Sequence, residues 1–199
     1  VNLQAPCAPV EPIQLYVHVP YCTRLCPYCS FHRVAFCEGE ARNYFRALRR
    51  EIEIYHELGF RFAGVYIGGG TPTVLPDELF ETLGLIRRLF DPAEISVETN
   101  PDRLEPELMA ALAEAGVKRV SVGVQTFDDE LLKRLDRYDK YGGSAELMRK
   151  LAAAQGWVPT LNVDMIYNFP LQDRASLEAD LAKLLEVGPD QVTFYPLMV

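Results

Sequence analysis

Short runs dense in β-branched and aromatic residues alternate along this chain with longer stretches of helical period. The runs Gln14–Val19, Gly64–Ile67, Glu94–Glu98, Arg119–Val124, Thr160–Ile166 and Gln191–Tyr195 predict six strands. Several are nearly continuous in apolar residues, as expected of parallel strands covered by helices. Between them, Glu40–Glu57 carries Tyr44, Phe45, Leu48, Ile52 and Tyr55 near helical spacing. Pro76–Phe90, Glu105–Ala115, Asp128–Leu135 with Ser144–Ala154, and Ala175–Glu186 repeat that pattern, and Gly142-Gly143 reads as a helix break. Asp77, Glu78 and Glu107 sit in first turns, where the helix dipole favours a carboxylate. Pro20, Pro72, Pro101, Pro170 and Pro196 each follow a strand within a few residues, where a residue without an amide proton ends pairing. About six βα units result, so the class is α/β, either an open doubly wound sheet or a partial barrel.

Both architectures put a ligand site at the carboxyl ends of the strands. The unusual residues gather there: a cysteine loop after the first strand, Gly68-Gly69-Gly70-Thr71-Pro72 after the second, Glu98-Thr99-Asn100 at the third, Gln125 at the fourth, and Asp164 running into Asn168 at the fifth. The glycine turn reads either as a tight turn or as a nest of amides for an anion. Asp164 lies between apolar neighbours and needs a partner, which a cationic ligand group would supply.

Charge and cysteine count narrow the class. A net charge of -8 argues against a nucleic-acid surface. No run of about 18 apolar residues is present to span a membrane, and the start shows no signal peptide. The 199 residues suit one domain; the first residue is not Met and the last ones read as a strand, so the chain reads as a trimmed piece of something longer. Five cysteines, three of them within the eight residues Cys22 to Cys29, fit a reducing cytosol with metal-binding thiols better than a disulfide framework. Cys22, Cys26 and Cys29 offer three soft ligands, for an iron–sulfur cluster or for zinc. Zinc would need a fourth ligand from His18, His32 or Cys37. A four-iron cluster on three thiolates would leave one iron open, and Tyr28 and Phe31 would limit its contact with water. Cys7, in a proline-rich tail, and Cys37 read as spectators.

The cysteine spacing with Tyr28 resembles the cluster loop of radical S-adenosylmethionine (SAM) enzymes. "YVHVPYC", "GGGTPT", "VETNPD", "RVSVGVQTFDDELLKRLDR", "NVDMIYNFPLQ" and "FYPL", in order from about Ile13 onward, are similar to the oxygen-independent coproporphyrinogen III oxidase family, which includes heme chaperones and heme-degrading enzymes. That resemblance implies a partial (β/α)6 TIM-type barrel over residues 13–199, a radical SAM core behind an N-terminal tail of residues 1–12. It implies a [4Fe–4S] cluster on Cys22, Cys26 and Cys29 whose open iron takes the amino and carboxylate groups of SAM. Tyr16 and Tyr28 would lie against cluster and cofactor. Gly69, Gly70 and Thr71 would meet the methionyl end through backbone and hydroxyl contacts. Glu98, Gln125, Arg137 and Asp164 match SAM-binding positions, and Met198 matches an adenosyl contact. His18 matches a histidine beside the cluster and reads as structural.

The implied activity is reductive cleavage of SAM to methionine and a 5′-deoxyadenosyl radical, which takes a hydrogen atom from a tetrapyrrole in heme metabolism. In the oxidase reaction that hydrogen leaves a propionate, and decarboxylation leaves a vinyl group. A cytoplasmic reductant such as flavodoxin or ferredoxin would supply the electron. Two departures matter. Phe31 stands where the oxidases carry a further cysteine, which resembles the chaperone branch, and Asn168 stands where glycine is usual. The alternatives are a heme chaperone on the same fold, a related methylase or heme-degrading enzyme, and a zinc-stabilised binding module.

Overall fold

In a computed structural model, which describes residues 13–170 and 172–197, the strands are β1 (Ile13–Val19), β2 (Tyr21–Cys22), β3 (Val34–Ala35), β4 (Phe62–Gly69), β5 (Glu94–Thr99), β6 (Arg119–Gln125), β7 (Thr160–Tyr167) and β8 (Gln191–Pro196). The helices are α1 (Glu38–Glu57), α2 (Pro76–Phe90), α3 (Pro106–Glu114), α4 (Asp129–Arg134), α5 (Tyr138–Tyr141), α6 (Ser144–Ala154) and α7 (Arg174–Val187). The N-terminal tail with Cys7, and Met198, lie outside the described residues.

Six strands form one sheet in the order β1-β4-β5-β6-β7-β8, and every pairing is parallel. This is the expected α/β class in its partial TIM-type barrel form. The sequential order with a helix between most neighbours follows from crossover connections that return each strand beside the last. Pro72 and Pro101 each open a single 3-10 turn directly after a strand, and Pro20 follows β1.

The two faces of the sheet differ, which corrects the expectation of strands apolar on both sides. Val17, Val19, Val65, Ile67, Ile95, Val97, Val120, Val122, Leu161, Val163 and Met165 are buried in the main hydrophobic core. The alternate positions carry Tyr16, Tyr66, Glu98, Ser121, Asn162 and Asp164 instead. A period of two in an otherwise apolar run separates a helix-covered face from a polar inner face. That inner face is where a ligand finds hydrogen-bonding groups.

Helix α1 buries Ala41, Phe45 and Ile52. It begins at Glu38, two residues before the predicted start at Glu40, and its first turn holds Glu38 and Glu40. Phe45 is fully buried against the sheet. Phe45→Ala is expected to cost about 3–5 kcal/mol, read as a lower urea midpoint at unchanged slope.

Candidate functional site

The cysteine loop leaves the sheet at the end of β1 and is closed at its neck. Tyr21 and Cys22 pair with Val34 and Ala35, Val34 N donates to the Pro20 carbonyl at 2.9 Å, and Phe36 N donates to that of Cys22 at 2.9 Å. The neck is fastened to the glycine turn, because Gly70 N donates to the Val19 carbonyl at 2.7 Å and Thr71 N to that of Tyr21 at 2.8 Å. On the far side, Arg24 bonds Asp136 at 2.7 Å, and Lys140 donates to the Thr23 hydroxyl. The loop is thereby held over the carboxyl ends of the strands.

One cavity at that rim is lined by Cys22, Cys26 and Cys29 together with Tyr28, Gly69, Gly70, Glu98, Gln125, Arg137 and Asp164. Residues far apart in sequence meet there, from the cysteine loop, the carboxyl halves of the strands and, for Arg137, the join between α4 and α5. Burial pushes the Cys22 thiol up, and the neighbouring thiols add to this; the Thr71 hydroxyl, 3.7 Å from Cys22 Sγ, opposes it. Burial also holds the Tyr28 hydroxyl protonated. Arg137 is 2% exposed and no carboxylate lies within salt-bridge distance of it among the described residues. Its Nη1 donates to Cys26 Sγ at 3.7 Å and to Tyr28 Oη at 3.1 Å, its Nη2 donates to the Gly123 carbonyl, its plane lies 4.2 Å from the Tyr141 ring centre, and its Nε has no partner. A buried guanidinium without a counter-charge is costly. Here it faces thiols, so thiolates or an anionic cluster on them would supply that charge.

The opposite wall is acidic. Glu98 accepts from the Tyr66 hydroxyl at 2.6 Å and from Gly69 N at 3.0 Å. Asp164 accepts from Ser121 at 2.7 Å and from Asn162 Nδ2 at 2.8 Å. Burial holds the Asp164 carboxyl above the ordinary carboxylate range, and nearby Glu98 adds to this. A raised carboxyl pKa contributes stability that is full in acid, below the unfolded value of about 3.9, and is lost as pH rises through the folded value. Asp164→Asn is therefore expected to flatten the fall in urea midpoint as pH rises above the unfolded carboxylate value of about 3.9; an unchanged profile would contradict the assignment.

Three expected site residues stand outside the cavity lining or lie out of view. Tyr16 does not line the cavity: it is 55% exposed on the inner face, stacks on Tyr66 with centroids 6.0 Å apart, and donates to His18 Nδ1 at 2.9 Å while His18 Nε2 donates to the His32 carbonyl at 2.9 Å. Thr71 is buried behind the wall and acts on Cys22 and on Asn100, whose Nδ2 donates to it at 2.9 Å. The amides of Gly69, Gly70 and Thr71 are all engaged within the chain, so the turn is not a nest for an anion. Met198 is not among the described residues. Cys37 is exposed at the start of α1, away from the cavity. Asn168 is exposed with φ 68, a left-handed conformation that asparagine tolerates almost as glycine does.

The cavity also takes Arg24, Arg33, Tyr141 and Tyr195, which the sequence reading did not single out. Tyr195 ends a recognised strand, so the strand-end rule could have found it. Arg33 reaches the Cys26 carbonyl through a loop whose path no periodicity reveals.

A structural zinc takes four ligands, and none of His18, His32 and Cys37 lines the cavity beside the three thiols. Three soft thiolates without a fourth ligand at the cavity fit an iron–sulfur cluster with one iron open. The acidic wall suits the ammonium and hydroxyl groups of SAM.

The chain belongs to the radical SAM superfamily, whose family model matches residues 16–190. Membership implies a [4Fe–4S] cluster and SAM. Within the superfamily its relatives are oxygen-independent coproporphyrinogen III oxidase-like proteins. It is 35% identical over 191 residues to an oxygen-independent coproporphyrinogen III oxidase of Paracoccus denitrificans, covering 92% of this chain and 42% of that protein. It is 34% identical over 200 residues to the heme chaperone HemW of Escherichia coli, covering 96% and 52%. The chain thus spans about half the length of the curated relatives it matches. The solved coproporphyrinogen III oxidase of Escherichia coli, described as a radical SAM enzyme, superposes with a TM-score of 0.85 at 29% identity, over 96% of this chain and 45% of that one. The methyltransferase TsrM of Kitasatospora setae, solved with cobalamin and a [4Fe–4S] cluster bound, shares the fold at 15% identity, with a TM-score of 0.65 over 93% of this chain and 36% of that one.

Proposed function

We propose that Cys22, Cys26 and Cys29 hold a [4Fe–4S] cluster, that SAM binds on the adjoining wall, and that the protein is a radical SAM oxidoreductase acting on a tetrapyrrole. The observation that carries this reading is the meeting of all three thiols with Glu98, Gln125, Arg137 and Asp164 in one cavity. When bound, cluster and SAM together supply one-electron reductive cleavage of the sulfonium and hydrogen-atom abstraction from substrate.

The chain's own residues bind, orient and exclude. Glu98 takes the amino group of SAM, and Gly69 and Gly70 let the backbone approach the methionyl end closely. Gln125 and Asp164 take the ribose hydroxyls, with Asp164 held in place by Ser121 and Asn162. Met198 is assigned the adenosyl contact on resemblance. Arg137 compensates charge beside Cys26, and Thr71 supports Cys22 by its hydroxyl. Tyr28 and Tyr141 close the back of the cavity to water. Tyr16, on the inner face beside Glu98, serves the substrate side. Among the described residues no helix is long and apolar enough to cross a membrane, and a cytoplasmic setting with a flavodoxin or ferredoxin as electron donor fits the free thiols.

A second reading, a heme chaperone on the same fold, is favoured by Phe31, which is 67% exposed at the cavity lining where the oxidases carry a further cysteine. One assay separates the two. The protein is reconstituted with iron and sulfide without oxygen, reduced, and given SAM with coproporphyrinogen III or with heme. Release of 5′-deoxyadenosine that rises with coproporphyrinogen III supports the enzyme. Stoichiometric heme binding with slow, substrate-independent release supports the chaperone. Absence of both responses would overturn the tetrapyrrole reading.

A further inference from the structure

Asp180 lies in the middle of α7, lines no part of the cavity, and is 2% exposed. Aspartate is almost never that buried unless its oxygens are partnered. Its Oδ2 accepts from the Thr126 hydroxyl at 2.8 Å and its Oδ1 from Phe127 N at 2.7 Å. Lys183, one helical turn on, donates to the Phe127 carbonyl at 3.0 Å. Both polar groups of the Phe127 backbone are therefore taken by side chains of one helix face.

The place so gripped is where β6 stops. The β6–β7 register shifts between Gly123 and Gln125, and Gln125 has φ 80, a left-handed value that a glutamine adopts only when its surroundings impose it. The Gln125 side chain folds back over Gly123, where an added Cβ would lie 2.8 Å from its Nε2. The grip also runs forward. Thr126 Oγ1 accepts from Asp128 N at 3.0 Å, and the Asp128 carboxylate caps α4 by accepting from Glu130 N at 2.8 Å and Leu131 N at 3.0 Å. Helix α4 leads to Arg137, whose Nη2 returns to the Gly123 carbonyl. The circuit begins at Asp180 and closes two residues before Gln125.

We infer that Asp180 is a positioning residue for SAM, setting Gln125 and Arg137 through the Thr126–Phe127 segment rather than merely packing α7 on the sheet. The inference rests on the SAM-site reading above. Bulge-associated strand ends that re-aim a side chain recur beside active sites, and outer contacts that orient binding groups change affinity by roughly 10–100-fold when removed.

The test uses reconstituted protein and measures SAM dissociation by equilibrium dialysis, iron content, and thermal midpoint. The variants are Asp180→Asn, which keeps an acceptor for Phe127 N but not for the Thr126 hydroxyl, and Thr126→Val, which removes the same bond from the other side. Leu184→Ala, a core truncation on the same helix, is the control for destabilisation alone. The expected result is a SAM dissociation constant raised on the order of tenfold in Asp180→Asn and Thr126→Val at unchanged iron content. Leu184→Ala should lower the midpoint while SAM affinity stays at the wild-type value. Equal SAM affinity in all four proteins would overturn the inference. If the wild type itself fails to bind SAM, the site reading falls first.

Discussion

Cys26→Ala is expected to lose the proposed cluster. Iron and acid-labile sulfide in the reconstituted variant are expected at background, and SAM cleavage should fall by more than the roughly 10–100-fold that outer-shell substitutions cause. Cys26 is the buried member of the three thiols, and its Sγ is the one facing Arg137. Its loss therefore removes a ligand and leaves that guanidinium without its proposed counter-charge. Cys37→Ala is the matched control: that thiol is exposed at the start of α1, so iron content and cleavage should stay at wild-type levels. Loss of iron in Cys37→Ala but not in Cys26→Ala would invert the ligand assignment.

Gly70→Ala is expected to have the next largest effect, on fold and site together. A Cβ there would lie 2.7 Å from the carbonyl carbon and oxygen of Pro20 and 2.8 Å from the oxygen of Tyr21. These are backbone atoms at the neck of the cysteine loop, so no side chain can swing aside. Overpacking of this kind costs about 1–3 kcal/mol, which for a chain of this size lowers the thermal midpoint by roughly 2–12 °C. Relief would come by parting the Gly70–Val19 and Thr71–Tyr21 hydrogen bonds, so cluster retention should weaken too. Gly39→Ala makes the contrast, because nothing lies within 4 Å of a Cβ at that position in α1, and it should stabilise by about 0.4–1 kcal/mol. Circular dichroism melts of the two variants decide the point; equal midpoints would contradict the close approach.

Much of the fold is legible because its signals are local. Apolar runs mark all six strands of the sheet to within about two residues at each end, five of them with a proline stop, and the helices Pro76–Phe90 and Ser144–Ala154 emerge with the expected bounds. The β2–β3 pair does not, since two-residue strands have no period, and the single turn of α5 is too short to show one. The polar inner face was readable in principle: Glu98, Ser121 and Asp164 alternate with valines, but the apolar partners dominate the run.

For the site, strand ends identified Glu98, Gln125 and Asp164, because the fold class alone puts ligands there. What stayed hidden is tertiary. Whether Tyr16 points into the cavity or along the inner face depends on its stacking with Tyr66 and its bond to His18. Whether the amides of the glycine turn are available depends on the Glu98 carboxylate and the loop neck, which meet them only in three dimensions. The Asp180 contact with Thr126 and Phe127 is hidden because α7 exposes Leu181 and Leu185 while it buries Asp180 and Leu184, so its apolar period does not tell the buried face from the exposed one.

The central claim is that three thiolates carry a four-iron cluster with one iron left for SAM. Electron paramagnetic resonance of the anaerobically reconstituted, reduced protein, recorded with and without SAM, tests it most directly. The account predicts the signal of a reduced [4Fe–4S] cluster whose g-values shift when SAM is added, because SAM binds the iron itself. A reconstituted protein that holds one zinc and gives no such signal would contradict it, as would a cluster signal indifferent to SAM.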